Sequence, residues 1–282
     1  MRARAHLATQ LRTTAGGGRR SCVSTLRSEA PLVLRPTRPT AAESWSAVAS
    51  DAVQVSLAAG AAGPVGGDHL ILEIDVGEGS SLVLSEVSPT LLLPGPHGRR
   101  SRTDVRITVA EGGTLIWLPE PVIAARACDH LNDVRVHLDD GARLLMREEV
   151  LLGRHGEPGG RVAQRVSVRL AGRPLHRQDL VHGTPVSTTP AVTGGHRAVG
   201  SVLVVDPDWV ERPPTVRQVD GEAALLPLTG PAALVTALAG DNLQLRRRLA
   251  AGLAELGPPW GRNGGPTMDI CTSRAPGGRV ER

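Results

Sequence analysis

A nine-residue pattern occurs three times in this chain, at intervals of about thirty residues. The copies read VGEGSSLVL, VAEGGTLIW and LDDGARLLM, at residues 76–84, 109–117 and 138–146. Each contains an acidic residue followed by glycine and ends in three apolar residues. Because glycine reaches the positive φ that tight turns require, each copy predicts a strand, a turn and a returning strand. A repeat of this length favours a stack of hairpins or coils over one flat sheet, although acidic-glycine turns also recur by chance among unrelated hairpins.

Alternation with a period of two dominates the chain from about residue 69 to residue 182. Apolar side chains occupy every second position in four runs, and most residues between them are polar. The apolar members are Leu70, Leu72, Ile74, Val76, Val105, Ile107, Val109, Val134, Val136, Leu138, Val166, Val168 and Leu170. This alternation, interrupted by glycine and proline, predicts half-buried strands. We therefore expect a mostly β chain.

The C-terminal part has a different character. Residues 231–256 are rich in alanine and leucine, and Pro231 suits the first position of a helix. Several leucines lie at helical spacing, and Gly240–Asp241 marks a break. This stretch predicts two α-helices. The remainder, residues 257–282, is rich in glycine, proline and arginine without any period, which predicts a disordered tail.

The composition argues against several classes of protein. Lysine, tyrosine and phenylalanine are absent, and four tryptophans are the only aromatic residues. Platforms that stack nucleobases are therefore scarce, and the net charge of +4 is spread along the chain, so nucleic-acid binding is not expected. No apolar run approaches the ~20 residues of a membrane-spanning helix. Three scattered cysteines and a first segment without the apolar stretch of a secretory signal predict a reduced, cytoplasmic protein.

No established catalytic motif is present in the sequence. The nucleophile elbow GxSxG, the P-loop, HExxH and paired CxxC sequences are all absent. Cys128 and His130 are the nearest approach to a soft-metal cluster, since both would lie on one face of a strand. Their spacing matches no standard metal site, so a structural role is the simpler interpretation.

Three loops carry candidate functional residues. GPVGGD ends in a carboxylate behind paired glycines, which let a backbone approach closely, and LPEP fixes a carboxylate at a rigid strand exit. EEVLLGRHGE brings charged residues to a glycine-broken strand end. The residues are Gly66, Gly67, Asp68, Glu120, Glu148, Glu149, Arg154 and Glu157. Considered singly, turn chemistry and ion pairs explain each of them as well as a function does.

The order and spacing of these loops resemble the UreD family (also called UreH) of urease accessory proteins. The resemblance covers about residues 1–256, and its stretches read PLVLRPTRP, GPVGGDHLILEIDVGEGSSLVL, GGTLIWLPEPVI, VRVHLDDGARLLMREEVLLGRHGE and VSVRLAGRPL. Two stretches depart from the family pattern. Residues 59–63 read AGAAG where the family has His-Pro-Pro-Gly-Gly, and residues 89–92 read PTLL where it has Thr-Lys-x-Tyr.

The resemblance implies a β-helix-like fold with two C-terminal helices, in a single domain over residues 1–256. It also implies a role without turnover. Family members form a complex with UreF and UreG, dock on apo-urease and assist the insertion of nickel; the resemblance also allows a homodimer within that complex. Nickel would be a transient cargo, thought to pass through a water-filled tunnel, and no cofactor would be tightly bound. Carboxylates suit such passage because they hold a divalent ion less firmly than Cys or several His would.

The resemblance also implies roles for single residues. Asp68 and Glu157 are expected to be transient nickel ligands or charges at a tunnel mouth. Arg154 is expected to orient Glu157 through charge-assisted hydrogen bonds. Structural or partner-facing roles are expected for Gly66, Gly67, Glu120, Glu149 and Arg154.

Two other classes of function remain open. One is a non-catalytic β-solenoid module that binds a protein or a carbohydrate without any metal. The other is an acid/base hydrolase that uses Asp68 and Glu157, which requires the carboxyl groups about 5–10 Å apart in an open cleft. The scarcity of aromatic residues argues against a sugar ligand. We therefore expect a non-enzymatic protein of urease maturation.

Overall fold

The computed structural model describes residues 1–14, 16–37 and 52–257. It is mostly β-structure, as the alternation predicts, with one α-helix near the C-terminus. In chain order the elements are β1 (Arg2–Thr13), β2 (Arg19–Arg27), β3 (Leu32–Pro36), β4 (Val53–Ala59), β5 (His69–Val76), β6 (Ser81–Glu86), β7 (Thr90–Leu92), β8 (Ser101–Val109), β9 (Thr114–Leu118), β10 (Val122–Ala124), β11 (Asp129–Leu138), β12 (Arg143–Leu152), β13 (Arg161–Leu170), β14 (Arg173–His182), β15 (Ala198–Val205), β16 (Arg217–Asp220), β17 (Ala223–Pro227), β18 (Ala232–Ala239) and α1 (Asn242–Ala254).

The strands form two sheets. The first sheet has the order β14-β13-β11-β8-β5-β1-β2, and the second has the order β16-β17-β18-β15-β12-β9-β6-β4-β3, with β10 and β7 attached beside β12. The chain passes from one sheet to the other at β5–β6, β8–β9 and β11–β12. Each of these strands pairs in parallel with its counterpart in the next coil. The predicted β-helix-like stack is therefore confirmed.

The three copies of the sequence repeat form the corners between the sheets. The expectation of a returning strand within one hairpin is wrong, because the residues on both sides of the turn face one core between the two sheets. Gly79 and Gly112 take the positive φ that these corners need, 60° and 62°. The N–H of Gly79 donates to the carbonyl oxygen of Glu111 at 2.9 Å, and the N–H of Gly112 donates to that of Asp140 at 3.2 Å. Each corner is thus bonded to the corner of the next coil.

The space between the sheets contains the main hydrophobic core. Leu72, Ile74 and Ile107 of the first sheet pack in it together with Leu82 and Leu84 of the second, and all five side chains are buried. Burial of aliphatic side chains of this size contributes roughly 1.5–3 kcal/mol each. The alternation in the sequence therefore marks one continuous apolar layer.

The C-terminal stretch contains one helix and not two. Residues 232–239 form β18, a strand between β15 and β17. The prediction that the first of two helices lies here is therefore wrong. Alanine and leucine are common in helices, but β18 is buried on both faces, and a strand in that position needs only a continuous apolar run. The break at Gly240–Asp241 instead precedes α1, where Asp241 Oδ1 accepts a hydrogen bond from the N–H of Gln244 at 2.8 Å.

Helix α1 packs on the outer face of the second sheet. Leu245, Leu249 and Leu253 are buried against it, and Gly252 lies so close to Val235 that a Cβ there would overlap the valine side chain. Within the described ranges, no helix is long and apolar enough to cross a membrane. The single domain over residues 1–256 and the disordered tail stay predictions, and residues 258–282 lie outside the described part of the chain.

Candidate functional site

A cavity of about 100 Å³ interrupts the apolar layer between the sheets. We call it the interior cavity. Its wall from the first sheet is partly polar, since Thr103, Asn132 and Gln164 lie in register on three adjacent strands. Four glutamates line the opposite side: Glu86, Glu120, Glu148 and Glu149. The volume has room for several water molecules.

A second space, of about 260 Å³, adjoins the interior cavity. We call it the outer pocket. The two spaces share Leu32, Leu57, Pro64, Leu70, Glu86 and Thr90 in their walls. The rest of the outer pocket is mostly apolar and includes residues of 59–63 and 89–92, the two stretches that depart from the family pattern. Glu86 therefore lies where the outer pocket meets the interior cavity.

Glu148 is a buried carboxyl group of the interior cavity. It is 8% exposed, and the alternation of β12 places it on the same face as Leu144 and Met146. Gln164, on the opposite sheet, lines the same cavity. The Oε1 atom of Glu148 has no hydrogen-bond partner in the described part of the chain. Burial raises the pKa of Glu148 to about 7, and the nearby Gln164 amide opposes that rise.

Glu86 is a second carboxyl group with a shifted pKa. It is the last residue of β6, half-buried, and its Oε2 accepts a hydrogen bond from the N–H of Glu120 at 3.2 Å. Burial raises the pKa of Glu86 to about 7. The backbone bond from Glu120 opposes this rise, whereas the negative charge of Glu120 adds to it. Glu86 and Glu148 therefore exchange protons near neutral pH.

His130 and Trp117 complete the polar lining. His130 is buried, and its Nδ1 lies 2.9 Å from the Oγ of Ser101. Burial, together with the charge of Arg100, lowers the pKa of His130 to about 4, so the ring is neutral at pH 7. Trp117 is 4% exposed, and its indole Nε1 has no acceptor among the residues that the structure describes. Two residues of the lining thus have a polar atom, a donor in Trp117 and an acceptor in Glu148, that no group in the described ranges occupies.

Glu149 is also among the residues that line the interior cavity, and its carboxylate is directed to Arg246 of α1. Its side chain is fully buried, and both of its oxygens accept hydrogen bonds from Arg246, at 3.0 to 3.3 Å. Arg246 also donates to Glu120 Oε2 at 2.7 Å, and Arg147 lies 3.6 Å from Glu149. The structure therefore brings together Glu120 and Glu149, which are far apart in sequence, through one arginine of the helix.

Asp68 lies in the loop before β5 and is 8% exposed. Its Oδ1 accepts a hydrogen bond from the amino group of Met1 at 2.7 Å, and its Oδ2 accepts one from the N–H of Val65 at 2.9 Å. Gly66 lies against the backbone of Gly95, and a Cβ on either glycine would collide with the other. Gly67 has a φ of +95°. These two glycines set the path of the loop that presents Asp68.

The exposed Arg154 and the half-buried Glu157 form an ion pair after the end of β12. The guanidinium of Arg154 donates to both carboxylate oxygens, at 2.7 and 3.0 Å, and its N–H donates to Oε1 at 3.1 Å. These bonds lower the pKa of Glu157 to about 2. Neither Asp68 nor Glu157 lines the interior cavity or the outer pocket. Over the described ranges, no group of three or more His, Cys, Asp or Glu side chains is arranged to hold a metal ion.

Sequence reasoning missed Glu86 and Trp117 and assigned Glu148 to a strand end. A signal for Glu148 was available, because it occupies a position of the apolar set in LLMREEVLL. A charged residue in such a position is unusual and marks either a partnered group or a site. Cys128 is also buried, and burial raises the pKa of its thiol to about 11.

Comparison with known proteins gives one consistent family. The family model described as the UreD urease accessory protein matches residues 1–268. A urease accessory protein UreD of Streptomyces avermitilis is 42% identical over 235 residues, which cover 82% of this chain and 90% of the relative. That of Streptomyces coelicolor is 42% identical over 86% of this chain and 93% of the relative. The urease accessory protein UreD of Frankia alni is 42% identical over 88% of this chain and 91% of the relative.

Proposed function

Because this chain belongs to the family of UreD urease accessory proteins, we propose that it assists the maturation of urease as a scaffold that performs no turnover. The match over residues 1–268 carries this proposal. We propose further that the chain helps nickel enter the active site of apo-urease. It acts in the cytoplasm, in a complex with UreF-like and UreG-like proteins. Nickel is a transient cargo and not a resident cofactor.

The interior cavity gives this proposal a physical route. Glu86 and Glu148 offer oxygen ligands, which hold a divalent cation more weakly than thiolates or several imidazoles do. The pKa of each group is about 7, so each carboxyl can bind a proton at neutral pH when no cation is present. The protonated form avoids the cost of a buried charge. The neutral His130 adds no positive charge to oppose a cation. In this proposal the entrance is the outer pocket, which shares Glu86 with the interior cavity.

The roles of Asp68 and Glu157 as transient nickel ligands stay predictions. Each carboxylate already has a positive partner, the amino group of Met1 for Asp68 and Arg154 for Glu157. A cation that binds either group has to compete with that partner. Glu86 and Glu148 line the interior cavity, whereas Asp68 and Glu157 do not, so Glu86 and Glu148 are the stronger candidates for the route.

The experiment that tests the accessory role compares urease made with and without this chain. Urease subunits are expressed with the UreF-like and UreG-like proteins at limiting nickel, and the nickel content of purified urease is measured by mass spectrometry. We expect the nickel content to fall at least tenfold when this chain is omitted, because no other component provides its scaffold. As a control, total cell nickel is measured in both cultures. Equal nickel content with and without the chain would support the alternative of a binding module outside urease maturation.

A further inference from the structure

Strand β14 forms one edge of the first sheet and is long and largely exposed. It runs from Arg173 to His182 and stands last in the strand order, with β13 as its one neighbouring strand in the described part of the chain. No backbone hydrogen bond joins it to any other segment that the structure describes. Its outer edge therefore presents a row of backbone N–H and C=O groups with which another strand can pair.

The other edges of the two sheets are less suited to pairing. β3 and β16 end the second sheet and are short, with five and four residues. β2, at the opposite edge of the first sheet, is interrupted by a register shift, and its charged residues are Arg19, Arg20 and Arg27. Short strands, bulges and like charges are features that keep edges from pairing. In β14 the register shift lies near the start, and pairing with β13 is unbroken from His176 to His182.

Two charges of opposite sign lie two residues apart on the outer face of β14. The side chains of Arg177 and Asp179 are 81% and 48% exposed. The Nε atom of Arg165, on β13, lies 3.1 Å from Asp179 Oδ1. Arg177 has one ion pair within the described ranges, a 3.5 Å contact between its Nε atom and Asp179 Oδ2. Arg177 is therefore free to contact a second carboxylate.

We propose that β14 pairs with β14 of a second copy of this chain, antiparallel and about a two-fold axis at Gln178. Residues opposite each other in an antiparallel pair face the same side of the sheet. With the axis at Gln178, Arg177 of each copy lies opposite Asp179 of the other, so the symmetry forms the same favourable pair twice. With the axis at Arg177 or at Asp179, two like charges would lie opposite each other. Among these three registers, only the one centred on Gln178 pairs opposite charges.

This pairing joins the first sheets of the two copies into one sheet. Arg165 lies in register with Asp179 on the adjacent strand, so the row across the junction reads Arg165, Asp179 and then Arg177 of the second copy. Each aspartate then lies between two arginines, and opposite charges on neighbouring strands stabilise a sheet. One pair of strands is a small interface, so we expect a weak dimer with a dissociation constant of about 10–100 μM.

The test measures the association of the full-length chain by itself. Sedimentation velocity of the wild type at about 1–300 μM and pH 7 is expected to show a monomer–dimer equilibrium. Asp179→Arg and Arg177→Asp each place like charges opposite each other, so each is expected to weaken the dimer about tenfold or more. Arg135→Asp reverses a charge on the same face but on β11, away from the edge, and is expected to leave association unchanged.

Two further samples test the register. The double variant Arg177→Asp with Asp179→Arg exchanges the two charges within each copy, so the wild-type dissociation constant is expected. An equimolar mixture of the two single variants places the two arginines of one copy opposite the two aspartates of the other, so the mixture is expected to dimerise although neither variant does so alone. No recovery in either sample would overturn the proposed register.

The remaining outcomes also decide the proposal. A wild type that stays monomeric over this range would overturn it and leave the edge to a different protein, and single variants that associate like wild type would overturn it as well. Circular dichroism and thermal unfolding confirm that each variant is folded. The inference does not depend on the proposed role in urease maturation, because the samples contain neither urease nor nickel.

Discussion

Glu149→Ala is expected to lower the free energy of unfolding by about 3–5 kcal/mol, because it leaves the buried end of Arg246 without its main partner. Glu149 has a fully buried side chain, and three hydrogen bonds join it to Arg246. Glu120 alone cannot replace them, since it contacts one nitrogen of the guanidinium. Chemical denaturation at pH 7 measures the effect. For a chain of this length the melting temperature falls by roughly 10 °C.

A matched pair of variants separates the charge from the packing. The double variant Glu149→Leu with Arg246→Met removes both charges and keeps most of the volume, so it is expected to lose less stability than Glu149→Ala alone. A surface ion pair serves as a control: Arg154→Ala is expected to change the stability far less than Glu149→Ala does. Equal losses in the buried single and double variants would show that packing, and not an uncompensated charge, dominates at this position.

Glu148→Gln is expected to stabilise the protein at alkaline pH. The pKa of Glu148 is raised from 4.5 to about 7 in the folded state, so the folded protein binds this proton more tightly than the unfolded chain. Between these two values, wild-type stability falls as pH rises, because ionisation is opposed only in the folded state. Ionisation of Glu148 lowers the stability of the wild type by about 3 kcal/mol above pH 7 and has no effect below pH 4.5. Glu148→Gln cannot ionise and does not lose this stability.

Denaturation curves at pH 4.5, 6, 7 and 8 measure that prediction. The stability of Glu148→Gln minus that of wild type should be near zero at pH 4.5 and about 3 kcal/mol at pH 8. Glu111→Gln, which changes an exposed carboxyl group in a corner, controls for net charge and should show no such trend. If the stability difference between Glu148→Gln and wild type does not change with pH, the pKa of Glu148 is not raised in the folded protein.

The sequence predicts the architecture well because the architecture depends on local periodicity. The alternation through Leu72 and Ile107 and the repeated acidic-glycine corners require only neighbouring residues, and both predict stacked strands. The stretch containing β18 is different. Its alanines and leucines are compatible with either a helix or a fully buried strand, and only its place between β15 and β17 decides between them.

The candidate site is less visible in the sequence, because distant strands build it. Asp68 and Glu157 stand out beside glycines, in loops, where a sequence motif is easily recognised. Glu148 and Gln164 come from opposite sheets, and they line one cavity only once the coils stack. Position can still be inferred for Glu148, since the period of β12 sets it among buried leucines. The raised pKa of Glu148 cannot be inferred from the sequence, because it depends on how many apolar groups surround the carboxyl in the folded protein.

The central claim is that the carboxyl groups of the interior cavity pass nickel onward. The most direct measurement is the nickel content of urease produced at limiting nickel with the double variant Glu86→Gln and Glu148→Gln, compared with Glu111→Gln and with Asp68→Ala plus Glu157→Ala. We expect the cavity variant to lower nickel content at least fivefold while it still co-purifies with its partners, and Glu111→Gln to match wild type. The loop variant separately tests the predicted roles of Asp68 and Glu157. Full nickel loading by the cavity variant would contradict the account.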